Sequence, residues 1–231
     1  MKYEMTGGTA YPLVKILLDN GETVKIERGS MVFKKDVEIV GKLNSNTKGF
    51  GALLGSIGRS LTSGESMFIT EATGKSNNSE IGIAPASIGK IEKLTVGSSQ
   101  YRLNTNAYLA SDSSVSYKMV RQNISKSFFG GTGGLFVMET QGVGDLLIAS
   151  FGDIIELEVT PNLPLTVDNN HVLAWSSDLD YNIEIASGTF GFTTGEGLVN
   201  TFRGSGNVLI QTRNIESLAL DIAKFIPNNS N

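Results

Sequence analysis

The segment LLDNGETVKIERGSMVFKKDVEI (Leu17–Ile39) returns in outline twice further along the chain, as KLTVGSSQYRLNTNAYLASDSSVSYKM (Lys93–Met119) and LEVTPNLPLTVDNNHVLAWSSDLDYNI (Leu157–Ile183). Each copy opens with a short strand-like run and a polar turn. An alternating segment follows: Thr23–Ile26, Tyr101–Leu103 and Leu165–Val167. A second polar turn leads to an apolar strand (Ser30–Phe33, Ala107–Ala110, His171–Ala174). Then comes a turn bearing Asp36, Asp112 or Asp178, and another alternating strand. Apolar residues at every second position mark half-buried β-strands, because successive strand side chains point to opposite faces. Gly29, Asn106 and Asn170 hold matching places, 77 and 64 residues apart, so the first unit carries an insertion, placed at residues 41–62.

The back halves of the units correspond too. GGLFVMETQGVGDLLIAS (Gly133–Ser150) matches EGLVNTFRGSGNVLIQTR (Glu196–Arg213), and GESMFITEATGK is the weaker version in unit one. Gly142/Gly144 and Gly204/Gly206 supply the positive φ of a tight hairpin. The chain is therefore read as all-β, with three tandem double-stranded β-helix or β-sandwich units. Unit one spans 1–79, unit two 80–157 and unit three 158–213, followed by a short amphipathic helix and tail over 214–231. In that tail Ile215, Leu218, Ile222 and Ile226 share one helical face, Asn214 is a plausible N-cap and Pro227 a stop. Units of this size are marginal alone, and repeated β units with free edges tend to close into rings.

Composition narrows the function classes. Net charge is −4, and only 18% of the 231 residues are charged. Residues 1–60 carry nine Lys/Arg against six Asp/Glu and the remainder ten against seventeen, so any basic face is small and near the start. The acidic balance argues against nucleic acid as a partner. There is no cysteine, which excludes disulfides, thiolate metal sites and cysteine nucleophiles. The opening residues show no signal-peptide pattern and no run is long enough to span a bilayer, so the expected location is cytoplasmic, with peripheral membrane contact as an option.

Met1-Lys2-Tyr3-Glu4, GETVKIERGSMVF, GGTGGLFVMETQGVGDLLIASFGDIIELEV and GEGLVNTFRGSGNVLIQTR together resemble the altered-inheritance-of-mitochondria family, named after a mitochondrial inner-membrane biogenesis factor. The resemblance covers nearly the whole chain. It implies a fold like the tryptophan RNA-binding attenuation protein, with three such units per chain and a homotrimeric ring. One departure stands out: many members carry Gly-Glu-Gly in the middle unit, where this chain has Gly131-Thr132-Gly133-Gly134. The family supplies no catalytic residue to carry over.

Chemistry-bearing residues are sparse. His171 is the single histidine, which excludes a multi-histidine metal site, and it is read as a turn residue with satisfied hydrogen bonds. The Gly130–Gly134 loop lacks Gly-Lys-Ser/Thr and leads into a strand, against phosphate binding. Glu156/Glu158 and Asp178/Asp180 read as solvated strand faces. Arg213 is a candidate anion contact. In GFGALLGSIGRSL (residues 49–61), Phe50, Leu53, Leu54 and Ile57 form an apolar face flanked by Lys48 and Arg59, a candidate protein or membrane-surface contact. These readings favour a non-enzymatic scaffold forming a homo-oligomeric ring, with no cofactor. The alternative is a small-molecule binding module, its ligand held between β units and lined by Trp175, Phe190, Tyr108 or Phe136.

Overall fold

The computed structural model describes residues 1–8, 10–44, 67–121, 136–186 and 197–226. The first unit contains β1 (Lys2–Thr6), β2 (Leu13–Leu18), β3 (Thr23–Glu27), β4 (Met31–Lys35), β5 (Val37–Asn44), β6 (Met67–Gly74) and β7 (Ser79–Ile83). The second contains β8 (Ile91–Val96), β9 (Tyr101–Asn104), β10 (Tyr108–Asp112), β11 (Val115–Arg121), β12 (Phe136–Gly142) and β13 (Gly144–Ala149). The third contains β14 (Ile154–Val159), β15 (Leu165–Asp168), β16 (Val172–Ser176), β17 (Asp180–Ile185), β18 (Leu198–Arg203) and β19 (Gly206–Gln211), so by strand grouping unit one runs through Ile83 and unit three starts at Ile154 rather than at the sequence-read bounds of 79 and 158. One helix, α1 (Ile215–Ala223), ends the described chain, capped by the Asn214 side chain, which accepts from the Ser217 amide at 2.7 Å. All-β architecture with a short C-terminal helix, as read from the sequence, is what the chain adopts.

Each unit splits into two half-sheets. One is β2-β7-β4, repeated as β8-β13-β10 and β14-β19-β16. The other is β5-β6-β3, repeated as β11-β12-β9 and β17-β18-β15. Units then share sheets. β10 pairs antiparallel with β3, fusing the second half of unit one to the first half of unit two in a six-stranded sheet. β16 pairs with β9 in the same way to make a second such sheet. The two ends of this series are the four-stranded sheet β1-β2-β7-β4 and the three-stranded sheet β15-β18-β17.

The repeat extends to register. β4, β10 and β16 each break register at one residue, between Met31 and Phe33, Tyr108 and Ala110, and Val172 and Ala174. A bulge inserts one residue and bends the strand. The inserted residues are Val32, Leu109 and Leu173. Through the seams, Ala110 lies opposite Ile26 and Ala174 opposite Leu103. Glu27, Asn104 and Asp168, the ends of β3, β9 and β15, are therefore equivalent, with the same 77- and 64-residue offsets read from sequence.

Burial follows from this layering. β2 alternates half-buried and buried residues and packs Val14, Ile16 and Leu18 against Val24, Ile26, Ala72 and Leu147. β10 and β16 are interior strands covered on both faces, and their first four residues are all buried. Trp175 and Tyr108 belong to these strands. Trp175 packs against Tyr181 and Phe202, with ring centroids 5.1 and 5.5 Å away, and Tyr108 meets Tyr117 edge-on at 5.1 Å. Both rings are therefore core, not pocket wall as expected from sequence. Trp175 is 1% and Tyr108 0% exposed. Phe190 and the Phe136 side chain lie outside the described residues.

Candidate functional site

Two features survive as candidate sites. The first is a cavity of about 460 Å³ where the three units meet. Its walls come from the end of β3 (Glu27), the loop at Pro85–Ser87, the turn after β9 (Asn104–Ala107), the end of β13 (Ala149–Phe151), the turn after β15 (Asn169, Asn170) and the start of α1 (Asn214–Glu216).

Local hydrogen bonds hold these walls. Asp168 accepts from the Asn170 amide at 2.8 Å, which turns the chain out of β15, and the Asn104 carboxamide donates to the Val172 carbonyl. Gln211 bridges two walls, donating to the Asn170 carbonyl and accepting from the Phe151 amide, each at 2.9 Å. His171 donates from Nδ1 to the Gln211 carbonyl at 2.7 Å and accepts at Nε2 from the Asn214 carboxamide at 3.0 Å, so its partners fix the Nδ1–H tautomer. The expected satisfied turn histidine is observed. It tethers α1 to the third unit, and Asn170 adds a bond to Glu216 at 2.9 Å.

The cavity is acidic. Its ionisable lining residues are Glu27 and Glu216. Burial pushes the Glu27 carboxyl up to about 6, since removal from water penalises the charged form. Sequence reasoning passed over Glu27. The available signal was its place in the repeat, where a glutamate stands at the position held by Asn104 and Asp168.

The second feature is a pair of free edges. Strands equivalent to β4 and β15 pair at both internal seams, yet among the described residues β4 and β15 themselves end their sheets without a further partner. Met31, Val32 and Phe33 are 44%, 57% and 39% exposed, whereas Leu109 and Leu173, the equivalents of Val32, are 0% and 3% exposed. α1 likewise turns Ile215, Leu220 and Ile222 outward, and Phe225 and Ile226 just beyond it are exposed too.

Arg213 is exposed beside Phe151, to whose carbonyl its amide donates at 3.2 Å, and among the described residues its guanidinium makes no ion pair. It is not part of the cavity lining. Glu156, Glu158, Asp178 and Asp180 are all exposed. Phe50, Leu53, Leu54 and Ile57 lie outside the described residues, as does the Gly130–Gly134 loop. Among the described residues no group of three or more His, Asp or Glu could hold a metal ion, and no helix is long and apolar enough to cross a membrane.

Fold and edges together define a tandem-repeat β protein whose three units share sheets, with one seam's strands left open, among the described residues, at the two ends of the series of sheets. The chain belongs to the mitochondrial biogenesis AIM24 family, whose model matches residues 3–213. It is 46% identical over 233 residues to an uncharacterised protein of Streptococcus pyogenes serotype M6, an alignment covering 100% of this chain and 93% of that one. It is also similar to a Streptococcus pyogenes protein whose X-ray crystal structure was solved by a structural genomics consortium. That likeness has 44% identity and a TM-score of 0.78, and covers 97% of this chain and 99% of the other.

Proposed function

We propose that this protein is a non-enzymatic scaffold that assembles head to tail into a closed homo-oligomeric ring, a trimer as the family resemblance implies, with a tryptophan RNA-binding attenuation protein-like unit repeated three times per chain. One observation carries the reading. Among the described residues, β4 and β15 are the unpaired equivalents of strands that join units at both internal seams. Joining β4 of one chain to β15 of the next repeats a contact the chain already makes twice. A heterologous contact of this kind yields a ring when its rotation closes. Transferring the internal register predicts Phe33 opposite Val167, Lys34 opposite Thr166 and Lys35 opposite Leu165. The exposed apolar residues of β4 and α1 supply surface for such an assembly. We assign the protein to the cytoplasm, with residues 49–61 as its candidate protein or membrane-surface contact.

Native mass spectrometry in multiples of 24.7 kDa tests the assembly. The Lys34→Cys/Thr166→Cys double variant tests the seam, because directly opposed strand residues lie within disulfide reach and the natural chain has no cysteine. Covalent multimers on mild oxidation, absent from either single variant, are expected. A monomer in native spectra, or no cross-link, overturns the proposal. The cavity favours a second reading, a small-molecule binding module with its ligand between β units.

A further inference from the structure

We propose that the cavity where the three units meet is a binding site for a small organic cation, a primary ammonium on a compact apolar body, held by the carboxylate of Glu27. The argument starts from the repeat. At the second seam Asn104 donates its carboxamide to the carbonyl of Val172. At the third equivalent position Asp168 accepts from the Asn170 amide. Glu27 stands in that place at the first seam, where the residue equivalent to Val172 is Tyr108. An ionised carboxylate has no proton to give a carbonyl. Among the described residues the Glu27 carboxylate makes no hydrogen bond and no ion pair, although it is half-buried. The chain has placed an acceptor where the neighbouring seam has a donor, and the donor must come from outside.

The surrounding chemistry selects the class of donor. Among the described residues no lysine, arginine or histidine lines the cavity, and its second ionisable group, Glu216, is another carboxylate. Most of the lining amides are already committed. Gln211 is engaged at both ends, Asn214 caps α1, and Asn170 is bonded to Glu216. Pro85, Ala107, Phe151, Val172 and Ile215 provide apolar wall. A volume of about 460 Å³ lies within the range of small-molecule sites. An anion would meet two carboxylates, and a neutral apolar guest would leave Glu27 desolvated and unpaired. An ammonium meets the carboxylate with a charge-assisted hydrogen bond and turns its hydrocarbon to the apolar wall. The burial that raises the Glu27 carboxyl to about 6 adds to this, because a bound cation offsets the same desolvation. Tyr108, whose own titration is pushed far up by burial, interacts electrostatically with Glu27, and Glu216 is the other ionisable residue of the lining.

Calorimetric titration of the full chain with benzylamine, 1,4-diaminobutane and ethanolamine tests the assignment, with benzyl alcohol and benzoate as neutral and anionic counterparts of the first. At least one amine should bind while both counterparts fail. Affinity should fall about tenfold between pH ~7.5 and pH ~5, as Glu27 takes up its proton. Glu27→Gln should weaken binding at least about tenfold, the scale of a lost charge-assisted bond. Ala86→Trp, at an exposed lining position, should block entry without touching the charge, so the test stands even where Glu27→Gln folds poorly. Failure of all three amines, equal binding of benzyl alcohol, or unchanged affinity in a folded Glu27→Gln protein overturns the assignment. The site lies within one chain, so these results are independent of whether the ring forms.

Discussion

Val32→Glu separates the proposed assembly from the fold of the chain. Val32 is the bulged residue of β4 and is 57% exposed in the single chain, while Leu109 and Leu173 at the same place are 0% and 3% exposed between sheets. In the chain alone, a surface substitution away from special features shifts stability by no more than about 0.5 kcal/mol. Across a seam built like the internal ones, the substitution removes the remaining apolar burial of a valine, roughly 1 kcal/mol. It also leaves a carboxylate in an apolar seam, at a cost of about 2 kcal/mol or more even after the group neutralises. The sum, about 3 kcal/mol per interface, weakens each contact about 150-fold. Light scattering across a dilution series should show Val32→Glu dissociating at concentrations where the natural protein stays assembled, with circular dichroism unchanged. Val40→Lys is the matched control. Val40 is 47% exposed on β5, but its equivalent is Lys118, a solvent-facing residue paired with Glu139, so assembly should persist. An assembly indifferent to Val32→Glu, or equally sensitive to Val40→Lys, refutes the edge argument.

Three further outcomes are expected. Burial raises Glu27 to about 6, so the folded chain favours the neutral acid and loses stability as pH rises through that value. Glu27→Gln should therefore raise stability by about 1 kcal/mol near pH 8 and give no gain near pH 4, read from denaturant midpoints. Glu139 behaves oppositely: burial works to raise its pKa, but hydrogen bonds and charge from Lys118 and Arg102 outweigh it and the net shift is downward. Its contribution is present above the ordinary glutamate value and lost as pH falls through the depressed one. Glu139→Gln should thus cost about 1.5 kcal/mol at neutral pH and nothing in strong acid. Asn214→Ala removes both the cap of α1 and the bond to His171 Nε2. It should speed amide exchange over residues 215–223 by roughly fivefold, corresponding to about 1 kcal/mol, and leave the β core's exchange unaltered.

The repeat was legible because polar and apolar residues keep their places even where identities change. The 77- and 64-residue offsets that align Gly29, Asn106 and Asn170 also align the seam register. Sheet sharing was not legible, since the partner of β3 is β10 in the next unit and no local pattern names a distant partner. The bulges were hidden for a related reason: Val32, Leu109 and Leu173 read as ordinary members of an apolar strand, and only pairing exposes the extra residue. Tyr108 and Trp175 misled because alternation tells which face is apolar, not whether a sheet or a ligand covers it. The cavity was hardest of all. Its walls come from six separate segments, and the one sequence clue, a glutamate at the place of Asn104 and Asp168, acquires meaning only beside the Val172 carbonyl that Asn104 meets.

The open seam also carries a packing signature of its own. On the internal seams Ala110 pairs with Leu147 and Ala174 with Leu209, a small residue on the joining strand beside a large one on its neighbour. In unit one the sizes are exchanged, Phe33 opposite Gly82, and the ring of Phe33 fills the space where a Gly82 side chain would be. The exchange keeps the packed volume of the pair, as interior packing demands, even though Phe33 remains 39% exposed in the single chain. A strand meant to stay in water has no reason to conserve interior volume. Lys34 and Lys35 follow at once, charges of the kind that keep an unpaired edge from joining the wrong partner. β4 thus combines a core-sized apolar start with a charged end. In the proposed assembly such a strand would tolerate exposure beforehand and accept one strand in one register afterwards, whereas a simple solvent edge would carry the charges without the conserved volume.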